Sequence, residues 1–245
     1  CTPVARVTEE KTLRMRWQGK TIAELKRKFL NSNGAPKTAK ATIVGVEQTE
    51  CGGKQTEVGF KIGMRELLGD LNHCSQRGLV ERFDSTNGAA SLMMPFGGSR
   101  QLTPAQVVAS RISVEGRESE TASVMSYGFD PFETEKNPYR GAYKAVVESI
   151  AKLVAAGAGT DNVHLTFQEY FERMTSDRAW GKPLSALLGA LDAQLDFGAA
   201  AIGGKDSMSG TFESIHIPPT LVSFAVAVCD AEHVCTNEFK RAGHS

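Results

Sequence analysis

The chain has 245 residues and a mass of 26.4 kDa, enough for one sizeable core or for a domain with a smaller flanking piece. Hydrophobic residues make up 41% and charged residues 23%, which excludes disordered, collagen-like and disulfide-dense scaffolds. Lys plus Arg balance Asp plus Glu at 28 each with no strongly basic block, so no electrostatic footprint for a nucleic-acid duplex is present and a small-molecule partner is expected.

In chain order, Val4 to Trp17 holds short β-compatible stretches. Thr21-Ile-Ala-Glu24 then has the form of a capping box opening a helix, with Ile22, Leu25 and Phe29 on one face and Asn33-Gly34 as its stop. Lys26, Arg27 and Lys28 fall in its last turns, where cations suit the helix dipole and a solvated face is expected. The polar, proline-containing stretch from Ala35 to Lys40 places a boundary near residue 38. Met64, Leu67, Leu68 and Leu71 keep helical spacing, for a helix ending before Gly78. Arg82 to Gly88 reads as a turn, Leu92 to Gly98 as a short strand closing in a loop, and Gly97 to Pro104 as irregular backbone.

A strand is expected over Ala122 to Ser126, followed by a loop rich in Pro, Gly and aromatics from Tyr127 to Tyr139. Val146, Ile150, Leu153 and Val154 define the next helix, ended by Gly157 and Gly159. Val163 to Phe167 alternates as a strand. Leu184, Leu187, Leu188, Leu191 and Leu195 give the strongest amphipathic helix, with Gly198 as its stop. Leu221 to Val228 is a β-rich run. The order is mixed strand and helix, without tandem repeats.

The five cysteines, Cys1, Cys51, Cys74, Cys229 and Cys235, lack CxxC spacing, which points to reduced thiols, a cytoplasmic setting and neither disulfide nor structural zinc. The apolar run ending at Cys229 is interrupted by Ser223 and is far short of the roughly 20 residues that cross a bilayer. No basic-then-apolar signal follows Cys1, and Arg241 to Ser245 adds no closing element, so both ends are expected to be cuts within a longer protein.

The stretch Ala201 to Phe212 packs two adjacent glycines, a lysine, a carboxylate and two serine hydroxyls between the strongest helix and a strand. Gly203 and Gly204 let backbone N–H groups approach an anion. Lys205 can neutralise it, Ser207 and Ser209 can bond it, and Asp206 can hold the magnesium that accompanies a nucleotide. The bland alternative is a tight polar turn. A Walker A loop is excluded, because Ala199 and Asp206 stand where that pattern needs Gly and Ser or Thr.

Glu148 lies on the Val146 helix with Lys152 one turn on. An exposed i,i+4 ion pair is one reading; the other makes Glu148 a metal ligand with Asp206. Glu115, Glu118 and Glu120 could add a third carboxylate, although a solvated loop is the commoner outcome. The five histidines have neither ligand nor triad spacing, and Cys51-Gly52-Gly53 has no ordered His and acid partner, so no glutaminase site is visible. The aromatic and charged run Phe167 to Met174, with Trp180 to Pro183, reads as packing with a polar rim.

Several long stretches, in order, resemble the second half of the synthetase region of formylglycinamide ribonucleotide amidotransferases. They are residues 78 to 98 (GLVERFDSTNGAASLMMPFGG), 167 to 174 (FQEYFERM), 178 to 183 (RAWGKP), 203 to 213 (GGKDSMSGTFE) and 218 to 226 (PPTLVSFAV). The resemblance implies an α+β fold like the N-terminal lobe of aminoimidazole ribonucleotide synthetase, a sheet with helices on one face that pairs with another lobe. It implies that residues 1–38 are the tail of a preceding C-terminal lobe, 39–235 the N-terminal lobe, and 236–245 the start of the next linker or lobe.

The resemblance further implies an ATP- and glutamine-dependent ligase that converts formylglycinamide ribonucleotide to its amidine, with ATP or ADP and Mg as cofactors. Catalysis would need the missing synthetase lobes and a glutaminase domain, which leaves this chain inactive alone and a possible homodimer. Alternatives are a non-catalytic lobe holding an auxiliary Mg-ADP and a ligand-free oligomerising scaffold. Carried over, Asp206 and Glu148 match magnesium-binding residues. Lys152 stands where the family has asparagine, and Gly116 where it has aspartate, with Glu118 and Glu120 nearby.

Overall fold

The computed structural model describes residues 1–32, 37–43, 59–83 and 90–243. The Asn33-Gly34 stop, Cys51-Gly52-Gly53, most of the turn from Arg82 to Gly88 and His244 lie outside the described residues. The chain divides into two compact units, Cys1–Lys40 and Ala41–Ser245.

The first unit is built on an antiparallel hairpin of β1 (Thr12–Trp17) and β2 (Lys20–Lys26). Gln18 and Gly19 turn the chain with φ of 49° and 76°, the pair of left-handed residues that matches strand twist in a two-residue turn. The capping-box expectation is thereby overturned. Thr21 to Glu24 lie in β2, and the helix shrinks to α1 (Arg27–Leu30). A tight turn lets two strands satisfy each other's backbone groups, whereas a first helical turn fixes several dihedrals for one hydrogen bond.

In the second unit, α2 (Phe60–Gly69) carries the expected Met64, Leu67 and Leu68 spacing and stops short of Leu71. A further short helix, α3 (Arg77–Phe83), runs through Gly78. The stretch expected to be irregular contains the small hairpin β3 (Phe96–Gly97) and β4 (Thr103–Pro104).

A five-stranded sheet forms the centre. Its strands are β5 (Val107–Arg111), β6 (Thr121–Gly128), β7 (His164–Tyr170), β8 (Ala200–Ser207) and, after the hairpin β9 (Thr211–Phe212) and β10 (Ile215–His216), β11 (Thr220–Asp230). The order is β5-β6-β11-β7-β8. Only β7 and β8 pair in parallel; β11 lies antiparallel between β6 and β7, so β6, β7 and β8 all run the same way.

Three helices follow in the connections. The loop expected from Tyr127 to Tyr139 instead holds α4 (Pro131–Lys136) and the start of α5 (Pro138–Ala155). Asp130 accepts from the Glu133 N–H and Asn137 from the Arg140 N–H, both at 3.0 Å, and Pro131 and Pro138 fill first helical positions. Asp-Pro and Asn-Pro thus carry a start signal each, an N-cap followed by a residue whose missing N–H costs nothing there. Helix α6 (Asp177–Phe197) begins at Ser176, which accepts from the Ala179 N–H at 3.1 Å, and stops at Gly198, where φ is 62°.

Because the chain advances in one direction from β6 to β7 to β8, right-handed crossovers put α5 and α6 on the same face of the sheet. That face is the core, filled by Val124, Val146, Ile150, Leu153, Leu165, Phe167, Phe171 and Leu221. The sheet's other face carries Met125, Tyr127, Val222, Phe224 and Val226, half-buried or exposed. The α+β lobe with helices on one face is the fold observed.

The inward stripe of α6 is not its leucine row. Ala179, Ala186, Gly189, Ala190 and Ala193 are buried, while Leu184, Leu187, Leu188, Leu191 and Leu195 are 41–72% exposed. The small stripe permits a close helix pair, since a Cβ at Gly189 would run into the Tyr139 carbonyl of α5. Tyr139 and Tyr143 donate to Asp192 and Asp196 across the same pair.

Candidate functional site

In open sheets with helical crossovers, ligands favour the carboxyl ends of the like-directed strands. Here those ends are Gly128 of β6, Tyr170 of β7 and Ser207 of β8. Two of the groups singled out in the sequence lie toward this end, in separate places.

The first place is β8 and the bend after it. Gly203, Gly204, Lys205, Asp206 and Ser207 form an edge strand rather than a phosphate-cradling turn, and only Ser209 lies beyond it. Two signals favour the strand: parallel pairing with β7 satisfies one side of the backbone, and Gly204 sits where a Cβ would come within 2.8 Å of the Phe167 carbonyl oxygen. Gly204 is therefore required by packing beside the register shift between Leu165 and Phe167. Gly203 has open space where a Cβ would be.

Successive strand residues face opposite sides, so Lys205 and Asp206 do not share a face. The Lys205 ammonium donates to the Ser207 hydroxyl at 2.7 Å. Asp206 is level with Glu169 of β7. Glu169 is 1% exposed, and neither of its carboxylate oxygens has a hydrogen-bond partner. Burial, and then the neighbouring Asp206 charge, push the Glu169 carboxyl up to about 8. A buried acid level with an exposed aspartate sets two carboxyl groups side by side near the carboxyl end of the sheet, oxygen donors of the kind that hold magnesium beside phosphates.

The second place is the contact of α5 with the end of β6. A Cβ at Gly128 would run into the Ala145 carbonyl and come within 2.9 Å of the Glu148 Cβ. Glu148 is thus fixed over the end of β6, three strands from Asp206 in the sheet order, about 14 Å at the usual strand spacing. The Lys152 ammonium lies 2.7 Å from Glu148 Oε1, donates to the Tyr127 carbonyl at 2.9 Å and stands 4.4 Å from the centre of the Tyr127 ring. The residues around Glu148 already contain a cation and do not fit a metal ion.

The other sequence candidates scatter. Glu115, Glu118 and Glu120 precede β6 at its amino end, a strand's length from Gly128. Among the described residues no three His, Cys, Asp or Glu side chains come together as a metal cluster. His216 lies 3.0 Å from the Thr211 hydroxyl and 3.8 Å from Glu172, which also pairs with Lys182. Cys1, Cys74, Cys229 and Cys235 are free thiols. No helix among the described residues is long and apolar enough to cross a membrane.

Glu169 is the residue that sequence reasoning missed. It sits at an inward position of an alternating strand, beside Phe167 and Phe171, and that misplaced charge in an apolar phase was the available signal.

No family model matches the chain. Among curated proteins it is similar to phosphoribosylformylglycinamidine synthase subunit PurL of Thermus thermophilus, 23% identical over 253 aligned positions that cover 99% of this chain and 32% of that protein. The same subunit of Sinorhizobium medicae is 26% identical over 176 positions, covering 70% of this chain and 22% of the relative. The chain therefore spans about a third of the T. thermophilus relative or less. Among solved structures, Thermotoga maritima PurL complexed with ADP superposes over 94% of this chain and 34% of its own, with a TM-score of 0.66 and 17% identity. PurLQS from T. maritima gives a TM-score of 0.67 at the same identity and coverage. At that identity the structures establish a shared fold.

Proposed function

We propose that this chain, PurL-like in sequence from end to end and PurL-like in fold, works as a nucleotide-bearing synthetase lobe of a phosphoribosylformylglycinamidine synthase. The parent activity in this reading is ATP- and glutamine-dependent conversion of formylglycinamide ribonucleotide to the amidine. The observation that carries it is the similarity over 99% of the chain to PurL, joined to a fold shared with a PurL that was solved with ADP.

On this reading, residues 1–38 close a preceding C-terminal lobe, 39–235 form the second N-terminal lobe and 236–245 lead into the next. Gly203 to Ser209 contact the nucleotide at the edge of the sheet. Asp206 would hold magnesium, which supplies positive charge to the phosphates when bound. The half-exposed apolar face of the sheet opposite α5 and α6 supports pairing with a matching lobe, and it equally favours a second reading in which the lobe is structural and its nucleotide auxiliary.

Calorimetry with Mg-ADP on the protein that contains this chain, before and after Asp206→Ala, tests the assignment. Loss of one bound ADP with turnover kept points to an auxiliary site; loss of turnover with nucleotide content unchanged points to catalysis. An unchanged ADP count and unchanged turnover would remove Asp206 and its strand from the nucleotide site. The 245-residue chain alone is expected to give no amidine from ammonia, ATP and formylglycinamide ribonucleotide.

A further inference from the structure

We propose that Lys152 is the resident cation beside Glu148, its ammonium standing where a divalent ion would otherwise be bound, so that Glu148 is not a metal ligand in this chain. The inference deepens the nucleotide reading and rests on it only in assigning the remaining ion to the Asp206 side.

Three contacts hold the ammonium. It pairs with Glu148 Oε1 at 2.7 Å, donates to the Tyr127 carbonyl at 2.9 Å, and meets the face of the Tyr127 ring at 4.4 Å. All three suit a cation: a carboxylate, a backbone oxygen and an electron-rich ring face. The Lys152 side chain is 17% exposed, less than half the exposure of the Glu148 side chain, so the charge sits inward of its partner.

The acceptors cannot easily withdraw. Tyr127 is followed by Gly128, which is pressed against α5 so closely that a Cβ would not fit. Lys152 and Glu148 are one turn apart on the same helix, so each turn of α5 fixes the pair. The local account of charge is one carboxylate against one ammonium. A second cation on Glu148 would face the ammonium across the same carboxylate, and among the described residues no cluster of further carboxylates is present to offset it.

Manganese titration of the full chain, read by electron paramagnetic resonance with and without ADP, tests the proposal. In the wild-type chain, Glu148→Gln is expected to change manganese affinity and stoichiometry less than twofold. Lys152→Asn is expected to add one manganese ion per chain, with or without ADP, and Lys152→Asn combined with Glu148→Gln to lose it again. Lys152→Met, which keeps the apolar stem but offers no oxygen, controls for folding through its thermal unfolding curve and should gain no ion. A tenfold loss of manganese affinity in Glu148→Gln alone overturns the proposal, as does a Lys152→Asn chain that gains no ion. Absence of ADP binding in every variant would count against the nucleotide reading, while the gain of an ion without ADP still decides the role of Lys152.

Discussion

Glu148 and Glu169 both lie toward the carboxyl end of the sheet, one on α5 over β6 and the other on β7, and they differ in what faces them. Glu148 meets an ammonium one helical turn away on its own helix. Glu169 meets another acid, Asp206, at the same level of the adjacent strand, and no other side chain or backbone group donates to either oxygen. The first carboxylate is neutralised by its own element and has nothing left to bind. The second is buried without compensation, which is costly unless a proton or a cation supplies what the protein does not. Binding capacity at this end of the molecule thus follows from what each carboxylate lacks.

The contrast can be broken most sharply at Glu169. Its folded form holds a proton that the unfolded chain releases above its ordinary value of 4.5, so stability is fully present below that value and is lost as pH rises through about 8. Glu169→Gln should therefore raise stability at pH 9 by up to about 5 kcal/mol and change it little at pH 4. Urea unfolding at the two pH values reads this, and equal effects at both would remove the buried acid from the account.

Next in size, Gly128→Ala should destabilise by about 2 kcal/mol, because its Cβ would have to push β6 from α5. The same change should loosen the Lys152 contact with the Tyr127 carbonyl, visible as faster amide exchange at the end of β6. Asp206→Asn comes third. Removing the like charge beside Glu169 should bring its titration downward and add about 1 kcal/mol at pH 9, leaving the part due to burial. The smallest effect belongs to Glu148→Gln, at most a few tenths of a kcal/mol, since that carboxylate is substantially exposed and its pairing is screened. A loss above 1 kcal/mol there would mean that the ion pair holds the helix in place.

The alternation of elements was legible because it depends on local period. The rows Val146-Ile150-Leu153 and Leu184-Leu187-Leu191 located α5 and α6, and Gly198 stopped the second of them as expected. What escaped was information held in pairs of elements. The Glu169–Asp206 level exists only once β7 and β8 are in register, and α6 packs through its alanines and glycine because α5 comes so close. Two local signals were there to be read and were not: Gln18-Gly19 as a hairpin turn, and Asp130-Pro131 with Asn137-Pro138 as helix starts. Lys152, by contrast, was correctly placed as the i,i+4 partner of Glu148 from spacing alone.

Crossovers confined to one side leave Met125, Tyr127, Val222, Phe224 and Val226 on the face opposite α5 and α6. Any surface that covers them binds the folded chain and not the unfolded one. Mass action then makes the folding equilibrium depend on how much of that cover is present, whether a second copy or a neighbouring lobe. Where a second copy supplies that cover, the unfolding midpoint climbs with protein concentration; a midpoint that stays fixed as concentration changes would assign the face to a neighbouring lobe instead.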